Sequence, residues 1–261
     1  MNLKEIQCKS VLNKSNLPKA DYCINPYIGC LHGCIYCYAC FMKRFTNHAE
    51  QWGDFLDVKI NAPEILQKEM TNKQKKGSII LGSVTDAYQP IEKKYEISRK
   101  ILAILAKYDF PLSVLTKSKL VMRDIDIFRT LKDCEVGLTI TSISDRRSSI
   151  FEPFASSPME RIETLGTLKS AGIKTYAFIG PILPGITDLE EILSALRKKI
   201  DFVMFEALNV NKSNIDKIKK GFVYAGIKDF PLESINWSEI EIRAKKIATQ
   251  CDIKVRGFYK H

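Results

Sequence analysis

Three cysteines stand within one short run, Cys30-Leu31-His32-Gly33-Cys34-Ile35-Tyr36-Cys37, at Cys-x3-Cys-x2-Cys spacing. Thiolates this close on one loop can each hold one iron of a cubane iron–sulfur cluster. The fourth iron then lacks a protein ligand. An open coordination position marks catalytic metals generally, because a Lewis-basic cosubstrate can take it. Gly29 and Gly33 suit a loop that must wrap closely around a bulky group.

A zinc site is the competing chemistry. It needs a fourth Cys or His; Cys40 could complete Cys34 and Cys37, and His32 could also bind. No second Cys pair or Cys/His pair at finger spacing follows. Cys8, Cys23, Cys134 and Cys251 are isolated and read as small buried residues. Disulfides are not expected either. Four of the eight cysteines crowd into positions 30–40, and a 261-residue chain needs no staples.

The elements that must carry this loop alternate in type. Tyr22–Asn25, Ser78–Leu81, Pro111–Leu115, Glu135–Thr139, Lys174–Ile179 and Phe202–Phe205 read as short apolar strands. Between and after them, Tyr95–Lys107, Met122–Lys132, Pro158–Ala171, Leu189–Lys198 and Ser238–Cys251 carry apolar residues at helical spacing. Gly172 follows one helix as a C-cap and Asp188 precedes the next as an N-cap. Near-continuous apolar strands imply a parallel sheet covered by helices. About six β/α units fall short of a closed eightfold barrel, so the expected fold is α/β, a partial (β/α)6-type TIM barrel with its functional loops at the strand C-termini. A short apolar run, Ile253–Val255, finishes the chain. No linker or repeat breaks it, and one domain spanning 1–261 is expected, with a core of about 20–210 and a C-terminal extension at 211–261.

Hydrophobic residues make up 45% and charged residues 27%, ordinary for a globular domain. No apolar run reaches the roughly 18 residues of a membrane span, and the N-terminus lacks a signal-like apolar stretch, so no membrane contact and a cytoplasmic location are expected. The net charge of +10 permits nucleic acid as a partner. Its lysines and arginines are spread over helix-like faces without aromatic interleaving, which favours a solvated basic surface over a nucleic-acid stripe.

The Cys-x3-Cys-x2-Cys loop, with Tyr36 before its last Cys, resembles the radical S-adenosylmethionine (SAM) superfamily. The run from Asn25 to Ala39 is similar to its spore photoproduct lyase-like branch. The resemblance continues through Thr85 to Glu92, Thr116-Lys117-Ser118, Arg123-Asp124, Phe151-Glu152-Pro153 and Pro181 to Gly185. It implies a [4Fe–4S] cluster on Cys30, Cys34 and Cys37, and S-adenosyl-L-methionine as second cofactor. Reductive cleavage of SAM would give a 5′-deoxyadenosyl radical that abstracts hydrogen from a substrate the sequence does not name. A one-electron donor such as flavodoxin or ferredoxin is implied as partner.

The same resemblance assigns the SAM contacts. Ser83, Thr85 and Asp86 end the second strand, where the family binds the methionyl amino group, and Lys117 suits the carboxylate. Ser142 would reach the ribose; Ile179, Gly180 and Pro181 would flank adenine; Tyr36 and Tyr38 would pack over the cluster or SAM. Arg123-Asp124 and Glu152 are expected to be structural. Spore photoproduct lyases use a cysteine near the end of the second strand as hydrogen-atom donor, and Ser83 stands at that position here. Cys40 and Tyr88 are the remaining candidates for a catalytic group. Three alternatives to an enzyme of unassigned substrate therefore stay open: photoproduct repair in DNA, a zinc-stabilised nucleic-acid-binding module, and a simple electron carrier.

Overall fold

The expected strands carry β-branched, leucine or aromatic residues; one face of each is buried under the helices, and in Ile79–Leu81 and Leu112–Thr116 the other is half-buried along a cavity, as in a parallel sheet covered on one side. The computed structural model describes residues 2–18, 20–71, 77–228 and 235–260. Its main sheet has eight strands: β2 (Leu12–Lys14), β3 (Tyr22–Ile24), β6 (Ile79–Leu81), β7 (Leu112–Thr116), β8 (Cys134–Thr139), β9 (Lys174–Ile182), β10 (Phe202–Ala207) and β11 (Lys254–Tyr259). From β3 onward every pairing is parallel and follows chain order; β2 alone is antiparallel, against β3. The two edge strands do not pair with each other, so the sheet is an open, partial barrel.

The six expected strands are all present. The seventh parallel strand, β11, grows from the expected run at 253–255, and so part of the C-terminal extension belongs to the main sheet. It is held by more than backbone: the Arg256 guanidinium lies 3.6 Å over the Phe202 ring and Phe258 stacks on Phe205. A small second sheet, β1 (Asn2–Ile6), β5 (Phe55–Lys59) and β4 (Tyr27–Ile28), was not foreseen.

The helices pack outside. On the long α6 (Pro158–Ser170), Ser157 and Glu160 form a capping box with Pro158 in the first turn. Asp188 caps α7 (Leu189–Leu196) as expected, and Gly172 leaves α6 at φ +83°. The helix expected over Tyr95–Lys107 is present as α3 (Ile97–Leu105), which Glu96, at a left-handed φ of 53°, sets off from the short α2 (Glu92–Tyr95). The helix expected over Met122–Lys132 is broken: a 3-10 segment, Lys119–Asp124, leads into the short α4 (Ile125–Phe128), with the Asp124 carboxylate at the junction held by Arg99, Arg123 and Tyr88. The remaining helices are α1 (Ala62–Thr71), α5 (Asp145–Phe151), α8 (Ile215–Tyr224) and α9 (Trp237–Gln250). Among the described residues no helix is long and apolar enough to cross a membrane.

Candidate active site

The cysteine loop leaves β4 at the C-terminal mouth of the sheet. Gly29 makes the turn at φ +94°, and a Cβ there would lie 2.5 Å from the Phe55 carbonyl oxygen. Only glycine fits so close a backbone approach. Beyond it Cys30, Cys34 and Cys37 line one cavity of about 700 Å³, together with Tyr36, Tyr38, Ser83, Thr85, Asp86, Lys117, Gly180, Pro181 and Glu206. All eight cysteines are free thiols.

Neighbouring elements grip the loop from every side. The fully buried Gln89 accepts the Leu31 amide at 2.8 Å, and Thr85 Oγ1 donates to the Gly29 carbonyl at 2.5 Å. The Ile35 amide donates to the Phe151 carbonyl, and Asn214 Nδ2 donates to the Tyr36 carbonyl at 3.2 Å. The Tyr36 hydroxyl donates to Glu152, which Thr141 and Arg161 also hold; the Arg161–Glu152 ion pair is completely buried. Burial would push the Glu152 carboxyl up, but Arg161 outweighs it and holds the group at about 2. Glu152, Arg123 and Asp124 do not line the cavity; Asp124 is held by Arg99, Arg123 and Tyr88.

Asp86 is occupied differently from expectation. Its carboxylate accepts the Tyr88 amide at 2.8 Å, the Thr116 hydroxyl at 2.7 Å and the Lys117 amide at 2.8 Å. His32 Nε2 lies 3.1 Å from its other face, at an angle too poor for a hydrogen bond. His32 Nδ1 faces the Phe154 carbonyl and must be its donor. Asp86 thus ties the cysteine loop to the ends of β6 and β7. Against the effect of burial, His32 and these donors hold its carboxyl at about 2.

Lys117 projects into the cavity with its ammonium 5.6 Å from the Tyr36 ring centre. Burial opposes its charge, but Cys34, Glu152 and Asp86 outweigh that and raise its pKa. Burial also raises the three loop thiols, Cys34 to about 12 even with Lys117 beside it. Iron that binds them must displace protons, as metals do on binding thiols. Ser83 lines the wall, its hydroxyl accepting from Asn25 Nδ2 at 2.9 Å and its carbonyl accepting from the Tyr38 hydroxyl.

Three expected residues lie elsewhere. Ser142 is buried and its hydroxyl accepts the Ser144 amide at 3.1 Å; it is not on the cavity wall. Tyr88 is buried with its hydroxyl on Asp124, and Cys40 faces Tyr38 and Ser213, so neither candidate catalytic group reaches the cavity. Conversely, Glu206 and Asn209 at the end of β10 line it unanticipated. The signal was a lone carboxylate in the otherwise apolar strand Phe202–Ala207.

The donor set fits an iron–sulfur cluster. Among the described residues no three Cys, His, Asp or Glu side chains converge on a single ion. A cluster takes one thiolate per iron and needs no such convergence. His32 Nε2, buried without a hydrogen-bond partner, adds a polar atom on the same wall.

Comparison with known proteins agrees with this chemistry. The family model of the radical SAM superfamily matches residues 24–198. An uncharacterised protein of Methanocaldococcus jannaschii is 43% identical over 209 residues, 80% of this chain and 78% of that protein. A radical SAM Nα-GlyT isomerase of Pseudomonas phage M6 is 23% identical over 64% of this chain, which spans 34% of that protein. Among solved structures, a mutant of spore photoproduct lyase superposes with a TM-score of 0.73 over 99% of this chain and 81% of its own, at 18% identity. Another mutant of that lyase, with bound AdoMet and dinucleoside spore photoproduct, gives 0.71 at 18% identity over the same shares. Likeness at this identity speaks for the fold.

Proposed function

This chain belongs to the radical SAM superfamily, and from that premise we propose that it is an enzyme holding a [4Fe–4S] cluster on Cys30, Cys34 and Cys37 and SAM in the adjoining cavity. The cluster, when bound and reduced, supplies the electron that splits SAM into methionine and a 5′-deoxyadenosyl radical, which takes a hydrogen atom from substrate. The observation that carries the proposal is that the three free thiols and the Lys117 ammonium share one wall at the C-terminal end of a parallel sheet.

This chain's residues bind and orient. Lys117 neutralises the SAM carboxylate. Asp86, its oxygens already engaged, positions Lys117 and the cysteine loop rather than gripping the amino group. Ser83 and Thr85 offer oxygens for that role, and Gly180 and Pro181 form a flat apolar wall for adenine. The apolar lining around them excludes water from a reactive radical. Anaerobic reconstitution tests the reading: four irons per chain and formation of 5′-deoxyadenosine after dithionite reduction are expected. A colourless zinc protein, or a cluster indifferent to SAM, would end it.

Nucleotide chemistry is the second reading for the substrate. Spore photoproduct lyase is solved with a dinucleoside photoproduct, and Lys117 on the cavity wall would suit an anionic ligand. Repair of that photoproduct itself is disfavoured, because the donor position carries Ser83 and the only thiols on the described cavity wall are the three cluster cysteines.

A further inference from the structure

A second surface reaches the cysteine loop from behind, outside the cavity. Cys37 caps a 3-10 segment, Tyr38–Phe45, that runs directly from the third thiol to solvent. Phe41 and Phe45 are exposed on it, and the Arg44 guanidinium lies 5.4 and 4.6 Å from their ring centres. Helix α8 abuts the same loop: a Cβ on Gly221 would meet Ile35 at 2.3 Å. Just before α8, Asn214 Nδ2 donates to the Tyr36 carbonyl and Ser213 bonds to Cys40, joining the helix to the 3-10 segment. The outer side of α8 shows Lys219, Lys220, Val223 and Tyr224 to solvent.

The charge on this face is one-sided. Lys43, Arg44, Lys212, Lys217, Lys219 and Lys220 are set against Asp216 as the lone acid of the two stretches 38–45 and 211–224. Among the described residues none of these six cations forms an ion pair. Aromatic and apolar side chains surrounded by uncompensated charge mark an interaction site rather than a solvated surface. None of Phe41, Phe45, Arg44 or the α8 residues lines the cavity, so a substrate aimed at the cluster through the cavity would not cover them.

Resting on the function proposed above, we infer that this face docks an acidic one-electron carrier protein, such as a flavodoxin, that reduces the cluster. In the transfer the carrier is oxidised by one electron and the cluster reduced by one; no bond forms or breaks. At about 2 Å rise per residue, Phe41 stands roughly 8 Å along the 3-10 segment from Cys37. A carrier seated there delivers its electron through the loop's own backbone, without entering the SAM cavity. Basic residues steer an acidic partner and set its association rate, while Phe41, Phe45 and Tyr224 supply the desolvated contact.

The test uses the reconstituted holoenzyme and photoreduced flavodoxin, with Arg44→Glu/Lys217→Glu/Lys220→Glu as the charge reversal and Lys107→Glu, at the opposite end of the sheet, as the control. Cluster bleaching by flavodoxin in stopped flow should slow about tenfold or more in the triple variant at low salt. Flavodoxin affinity, read by titration with the cluster-free protein as well, should fall in parallel. Bleaching by dithionite and dithionite-driven SAM cleavage should be unchanged, and Lys107→Glu should match the wild type. Unchanged flavodoxin rate and affinity in the triple variant would overturn the inference. So would a triple variant that loses affinity only for a labelled single-stranded oligonucleotide, which would make the face a nucleic-acid surface. Failure of the wild type to cleave SAM with dithionite would instead strike the proposed function, with the affinity titration still reporting on the face.

Discussion

Replacing Cys30, Cys34 or Cys37 by Ala should each abolish a full four-iron complement, because the proposed cluster has no spare thiolate. The control is Cys40→Ala: this thiol lies off the cavity wall, so iron content and the visible spectrum should persist. Iron analysis of the reconstituted variants decides it, and a complete cluster in Cys34→Ala would remove that ligand. Lys117→Ala should keep the cluster but weaken SAM binding by about 1.5–3 kcal/mol, the worth of a charge-assisted hydrogen bond. Titration calorimetry reads that difference directly, and unchanged affinity would take Lys117 out of the site. Glu152 adds a pH dependence. Its folded pKa of about 2 is below the ordinary 4.5, so its contribution to stability is complete above about 4.5 and fades as pH falls towards 2. Glu152→Gln strands the buried Arg161 and should cost about 3–5 kcal/mol at neutral pH. Urea unfolding at falling pH should show the gap between wild type and variant closing through that window; a constant gap would assign the titration to another carboxylate.

At the scale of elements, the turn before Cys30 depends on a missing side chain. Gly29→Ala forces a left-handed residue and drives a methyl group into the Phe55 carbonyl. The strain alone costs roughly 1–2 kcal/mol, and the clash adds to it. A fall in Tm of at least about 2 °C, with poorer iron retention, is expected by circular dichroism and iron assay; a wild-type Tm would show that β4 yields. The loop and its strands were legible in the sequence because Cys spacing and apolar runs are local signals. Lys117, Ser83 and Thr85 line the cavity because strand ends project into the mouth of such a sheet. Ser142 does not, because strand-end position does not say which way a side chain turns: Ser142 turns to the Ser144 amide, and Tyr88, farther along its loop, turns to Asp124. The small sheet of β1, β4 and β5 was hidden because β1 and β5 interleave charged with apolar residues and β4 is two residues long, so none gives an apolar run. Lys217–Lys220 read as a solvated helix-like face, which left the packing of α8 against the cysteine loop, through Gly221 and Ile35, out of sight.

At the scale of the molecule, the net charge of +10 permits nucleic acid as a partner, while the likeness to spore photoproduct lyase speaks for the fold, and the two make different demands. Charge predicts affinity without sequence preference. For about four phosphate contacts, binding of a single-stranded oligonucleotide should weaken roughly fiftyfold between 50 and 200 mM salt. Fold predicts chemistry only where the catalytic groups are also present. Ser83, which the sequence resemblance sets where photoproduct lyases carry an S–H, has an O–H, and its hydroxyl is already bonded to Asn25. An O–H bond is a far poorer hydrogen-atom donor than an S–H bond, and the three thiols on the described cavity wall are the proposed cluster ligands. A thymine radical formed in this cavity would therefore go unquenched. The reduced enzyme should form 5′-deoxyadenosine in the absence of substrate, yet convert dinucleoside spore photoproduct to thymine only slowly or with aberrant products. Chromatography of the reaction mixture separates the outcomes. Clean, multiple-turnover thymine formation would restore the repair reading and require another donor. If Ser83→Cys then gains thymine yield over the wild type, the missing thiol is what separates this chain from a photoproduct lyase.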